Sequence, residues 1–135
     1  MSALVRLLYP VPALSRSPGA VVGWWEHRRL TYNLVVGGTG LVSLVAVNLL
    51  QLLPPPEFRF GVPFGAVVAF GVLANVFYTG GWAAELLFNA WWRHDPPPVG
   101  PILFRQGLIF SVGLALLPIG MAGLGWLVRL LKLIL

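Results

Sequence analysis

Residues Leu34 to Ser43, LVVGGTGLVS, carry the ambiguity on which the fold turns. A Gly-Gly-Thr-Gly turn between two apolar runs is how a dinucleotide-binding loop begins, with a strand before it and a helix N-terminus after it. Such a loop also needs alternating strands and helices downstream, and usually an acid about 20 residues on. Here the apolar run continues unbroken to Leu53. The next acid is Glu57, beyond Pro54, Pro55 and Pro56, and no alternating units follow. The glycines therefore read as part of one long apolar helix, and no nucleotide is expected.

Composition supports that reading. Of 135 residues, 58% are hydrophobic and 10% charged, against about 25% charged in a typical soluble domain. The mean hydropathy is +0.84. A chain with so little polar surface suits lipid better than water. Cysteine is absent, which excludes a disulfide framework, a thiolate metal site, a haem-attachment motif and a cysteine nucleophile. The net charge is +5, but the basic residues sit at the edges of apolar runs. That is the positive-inside placement rather than a nucleic-acid patch.

Working outward from the glycines, three apolar segments have the roughly 20 residues that cross about 30 Å of hydrocarbon. They are expected over 30–53, 62–92 and 102–128. A basic apolar tail follows at 129–135, and residues 1–29 form an N-terminal interfacial segment whose Pro10 and Pro12 interrupt any signal-peptide core. Triple prolines at 54–56 and 96–98 stop the helices in both linkers. The fold class expected is all-α: one membrane domain of three transmembrane helices. Arg6, Arg16, Arg28, Arg29, Arg93 and Arg105 fall on one side, and Arg59, Arg129 and Lys132 on the other. This asymmetry places the N-terminus in the cytoplasm. Trp24, Trp25, Trp91 and Trp92 are expected as interface anchors on that side, with Trp126 on the opposite one.

Glu85 is the one acid well inside an apolar segment, and such groups usually face a bundle interior with a partner. Asn75, Tyr78, Trp82, Glu85 and Asn89 recur at spacings of three and four, so they share a helical face. Asn33, Gly37, Gly40, Asn48 and Gln51 form a matching stripe on the first helix. The two faces are expected to pack together, with Gly37 and Gly40 as a notch, Glu85 near the level of Asn33, and Arg105 as its counter-ion. Gly113 and Gly120 are expected to serve packing of the third helix. Its Pro118 frees the Leu114 carbonyl and should kink it, shaping either a groove or a plain packing bend. The polar cluster reads either as a structural clasp or as a proton or ion relay centred on Glu85.

Other chemistry is thin. His27 and His94 stand at membrane edges, and two histidines without cysteine make no zinc site. No triad, HExxH motif or paired-aspartate pattern occurs, so no catalytic residue and no metal ligand is assigned. No motif indicates a cofactor; contact with a lipid, pigment or quinone stays open.

The stretches WWEHRRLTYNLVVGGTGL, GVLANVFYTGGWAAELL and LFRQGLIFSVGLALLPIG resemble a group of small, uncharacterised bacterial inner-membrane proteins. The likeness spans about Trp24 to Gly120. It rests on Glu26, Arg28, Arg29, Tyr32, Asn33, Asn75, Tyr78, Glu85 and Arg105. It implies a multi-pass protein of the bacterial cytoplasmic membrane and no activity. The function expected is a non-catalytic accessory subunit of a larger respiratory or photosynthetic type of complex. Its partners would be lipids and other membrane subunits, with the Phe58 to Gly65 strip as a contact. The alternative is a small transporter or ion-conducting oligomer using Glu85; a lipid-acting membrane enzyme is a third reading.

Overall fold

In a computed structural model, residues 2–56, 62–92 and 94–135 are described. Glu57, Arg59, Arg93 and the first half of the phenylalanine-rich strip lie outside them. The elements are all helical: α1 (Ala3–Leu8), α2 (Pro18–Leu52), α3 (Phe64–Trp91) and α4 (Gly100–Ile134). The last three are long and apolar enough to cross a membrane.

Two boundaries differ from those expected. α2 starts at Pro18, well before Leu30, because Ser17 caps it by accepting from the Ala20 N–H and Pro18 occupies the first turn. The charged WWEHRR stretch is thus helical; charge ends an apolar run but not a helix. At the other end, 129–135 is no separate tail, since α4 runs on to Ile134. Nothing in RLLKLI breaks a helix. α4 also passes through Pro118 as one helix.

α2 packs most extensively against α4, and α3 lies against both. The first two crossings do meet through the faces of Asn33 and Glu85, but α4 is the more extensive neighbour of α2. Cross-helix contacts show why α2 and α4 stay together. Trp25 meets Phe104, Tyr32 meets Ser111, and Arg129 reaches the Leu50 carbonyl. Each pair is 79 apart in sequence, so the helices run parallel in fixed register. The buried residues of α2, Val21, Trp25, Tyr32, Val36, Ser43 and Val47, alternate spacings of four and seven. An eleven-residue repeat is 3.67 residues per turn, close to the natural 3.6, so the seam holds its face over the whole helix. α3 runs antiparallel, with Glu85 at Trp25 and Asn75 at Asn33.

The N-terminal segment folds back on this end of the bundle. Leu7 and Leu8 pack on the core, the Val11 carbonyl accepts from Trp24 Nε1 at 2.7 Å, and the Arg105 guanidinium lies 5.0 Å from the Tyr9 ring centroid.

Candidate functional site

The bundle holds a knot around Glu85 and an open groove beyond it. The knot begins with aromatic packing. Trp25, 2% exposed, meets Tyr78 and Phe104 edge-on with centroids 5.2 and 6.0 Å apart, a geometry that aligns ring edges with ring faces. Trp25 Nε1 donates to Glu85 Oε2 at 2.6 Å, and the Tyr78 hydroxyl donates to the Trp25 carbonyl. Gly100, at the start of α4, closes the carboxylate in: a Cβ there would overlap the carboxylate oxygens. The carboxylate of α3 is thus bonded by α2 and covered by the start of α4.

One turn further along α2, Arg29 grips Glu26 through two 2.7 Å bonds from Nε and Nη2, the bidentate fork of a strong ion pair. Its remaining donors reach Thr79 Oγ1 at 3.1 Å and Asn75 Oδ1 at 3.3 Å. Asn33 and Asn75 then exchange amide bonds of 3.2 and 3.0 Å. Deeper still, the Tyr32 hydroxyl donates to the Ala74 carbonyl and shares a 2.7 Å bond with Ser111 Oγ. The polar ladder stops there.

Several expected partners are placed elsewhere. Arg105 is not the counter-ion of Glu85: it stacks on Tyr9, while an indole N–H serves the carboxylate. Glu85 stands at the level of Trp25, not of Asn33, because Gly81 lets the Trp25 ring lie against α3; a Cβ at Gly81 would come within 2.8 Å of that ring. Asn48 is exposed and bonds the Leu44 carbonyl of its own helix. Asn89 has no partner for either amide atom. Gly37, Gly40, Gly113 and Gly120 have nothing within 4 Å of an added Cβ, so none is a packing notch. Trp25 is core rather than an interface anchor, and Trp24 is tied to Val11 with Arg28 4.0 Å over its ring. Trp91 and Trp92 are exposed at the end of α3, and Trp126 Nε1 donates to the Pro54 carbonyl at 3.2 Å. His27 and His94 are exposed. Among the described residues no acidic, histidine or cysteine cluster could hold a metal.

The glycines instead line a groove. Past the Asn33–Asn75 pair, α2 and α3 part around a cavity of about 370 Å³ bordered by Gly37, Gly40 and Ser43 of α2, Phe70 and Gly71 of α3, and Pro118 of α4. Asn33 and Asn75 line its inner end, and its other walls are aliphatic. Ser43 is 2% exposed and its hydroxyl has no partner. Pro118 suggested a groove at the third helix, and it does border this one; the extent of the opening between α2 and α3 was not foreseen. Its signal was present in the glycines of α2 and in Gly71, but small residues read equally as a close helix contact.

Comparison with protein-family models, curated proteins and solved structures finds no match to this chain.

Proposed function

We propose that the chain is a multi-pass membrane protein with a structural, non-catalytic role, an accessory subunit that presents its helices to a larger assembly. The observation that carries this reading is the position of Glu85. Its carboxylate accepts from Trp25 of α2 and lies against Gly100 of α4. It stands one turn on the headgroup side of Arg29, which is about 32 Å from the level of Leu50 and Arg129 at 1.5 Å per residue. That interval matches the hydrocarbon thickness. The borders of the bilayer then fall at Glu26, Arg29 and Arg105 on one side and at Arg129 on the other, with Glu85 outside the apolar slab. The relay reading draws no support from this arrangement. Between Ser111 and the Arg129 border, no polar chain continues among the described residues.

Large apolar side chains such as Leu41, Val45, Phe77, Phe110 and Leu124 are exposed around the bundle, which suits lipid and neighbouring helices alike. The basic excess on the N-terminal side supports a cytoplasmic N-terminus, and the bacterial inner membrane follows from the resemblance.

The test is extraction from native membrane in mild detergent, followed by native electrophoresis and mass spectrometry of each band. A partner in fixed stoichiometry is expected. A chain that migrates alone while other complexes remain intact overturns the accessory role. Proteoliposome flux that disappears in Glu85→Gln would replace it with the conductor reading.

A further inference from the structure

The two flanks of α2 meet different neighbours. Arg29 and Asn33 bond α3, whereas Trp24 and Arg28 stand on the other flank. The Trp24 ring lies against Phe104 of α4, with centroids 6.0 Å apart, and the Arg28 guanidinium lies 4.0 Å over that ring. The same division holds on α4. Leu103, Gly107 and Phe110 border the opening toward Phe77 and Gly81 of α3, and Arg105 falls roughly 200° around the helix from Gly107. Arg28 and Arg105 therefore share the outer α2–α4 flank, turned away from α3. By the offset of 79 between these helices, Arg105 stands level with Glu26, about 3 Å along the axis from Arg28.

Both arginines keep unspent charge. Glu26 is held in the Arg29 fork and Glu85 accepts from Trp25. Among the described residues no carboxylate pairs with Arg28 or Arg105. Each rests on a ring instead, Arg28 on Trp24 and Arg105 5.0 Å from the Tyr9 centroid. A guanidinium stacked by its face keeps its in-plane N–H groups for an anion. Arg28 gives one of them, on Nη1, to the Trp24 carbonyl at 3.0 Å. The Trp24 platform is itself fixed, through its Nε1 bond to the Val11 carbonyl of the N-terminal segment.

Position selects the anion. These residues stand at the border of the hydrocarbon on the N-terminal side, where phospholipid phosphates lie, and basic sites between helices at that level suit acidic headgroups. Seven residues deeper on each helix, or about 10 Å, Val35 and Val112 pack half-buried at the edge of the core. Seven residues return to nearly the same face of a helix, so an aliphatic track runs directly below the two cations. A free phosphate would use only the upper part of this flank; a phospholipid uses both. A choline headgroup would bring a cation to two arginines with no carboxylate to meet it.

We propose that Arg28 and Arg105 together bind the phosphate of an anionic phospholipid, whose acyl chain descends along Val35 and Val112. The inference rests on the bilayer border given above and not on the accessory role.

The test uses the full chain purified in mild detergent, titrated with phosphatidylglycerol and phosphatidylcholine of identical acyl chains and read by native mass spectrometry. At about fivefold per arginine, wild type should hold phosphatidylglycerol about twenty- to thirtyfold more tightly. Arg28→Gln and Arg105→Gln should each lower that preference about fivefold, and the double variant should remove it. Phosphatidylcholine binding should stay unchanged throughout, the sign of an intact bundle. Arg16→Gln removes a charge from the same side of the membrane but outside the pair, and should leave the preference intact. Inorganic phosphate in large excess should leave the bound lipid in place. The proposal is overturned if wild type binds the two lipids equally or if the double variant keeps the preference. It is equally overturned if Arg16→Gln acts as strongly as Arg28→Gln, or if inorganic phosphate displaces the lipid.

Discussion

The two halves of the bundle use the same helices in the same register, yet one is knotted and the other open. On the side of the N-terminus, Trp25, Tyr32, Tyr78 and Phe104 fill the space between helices, and their polar ends bond Glu85, Ala74 and Ser111. On the other side, Gly37, Gly40 and Gly71 face one another with no atom filling the gap. Glycine plays opposite roles in the two. Gly81 and Gly100 exist because a neighbour occupies the place of their Cβ; Gly37 and Gly40 leave that place empty. A glycine stripe in a membrane helix is thus no proof of close packing: what stands opposite decides.

Substitutions can break or sharpen this contrast. The largest effect is expected for Trp25→Ala, which empties the centre of the knot and strips Glu85 of its donor. A loss of about 3–5 kcal/mol follows from the cavity, measured as unfolding free energy in mixed micelles. A wild-type-like midpoint would mean the knot is not the stable half. Gly81→Leu should come next, at about 1–3 kcal/mol, because the added side chain overpacks against the buried Trp25 ring. Thermal unfolding followed by tryptophan fluorescence reads it; an unchanged transition would show that α3 can slide away freely. Tyr32→Phe removes the hydroxyl shared with Ser111 and Ala74. It should cost about 0.6–1.5 kcal/mol, the range for hydrogen bonds between membrane helices. A double-mutant cycle with Ser111→Ala should show the two changes to be less than additive. Gly40→Ala should run the other way. The new methyl enters open space and the helix gains up to about 1 kcal/mol. A clear loss of stability there would mean that α2 and α3 close up in lipid.

Much of the architecture was legible in the residues. Hydropathy and the triple prolines marked three crossings, and the spacing from Asn75 to Asn89 placed Tyr78 and Glu85 on one face, where both are buried. The pairing of those faces was not legible. Charge suggested Arg105 for Glu85, but a neutral indole N–H can also serve a carboxylate, and Trp25 looked like one of several tryptophans at a membrane edge. Periodicity gives the face of a helix, not its height against a neighbour. That height is set by which large ring finds a glycine opposite, as Trp25 finds Gly81. Pro118 hinted at the groove, but its outline was not legible for the same reason, since it depends on where three helices part.

The constant offset between α2 and α4 also bears on how the chain is made. The two helices that match most closely are separated in synthesis by the whole of α3, and they run in the same direction. When α2 enters the bilayer, its main partner has not yet been translated. α3 arrives first and supplies Glu85 for Trp25 and Asn75 for Asn33, a provisional pairing that shields the polar face of α2. Only when Phe104 and Ser111 emerge does the seam close. Assembly therefore awaits the final crossing, and a nascent chain halted after α3 would expose an unsealed flank to whatever insertion machinery holds it.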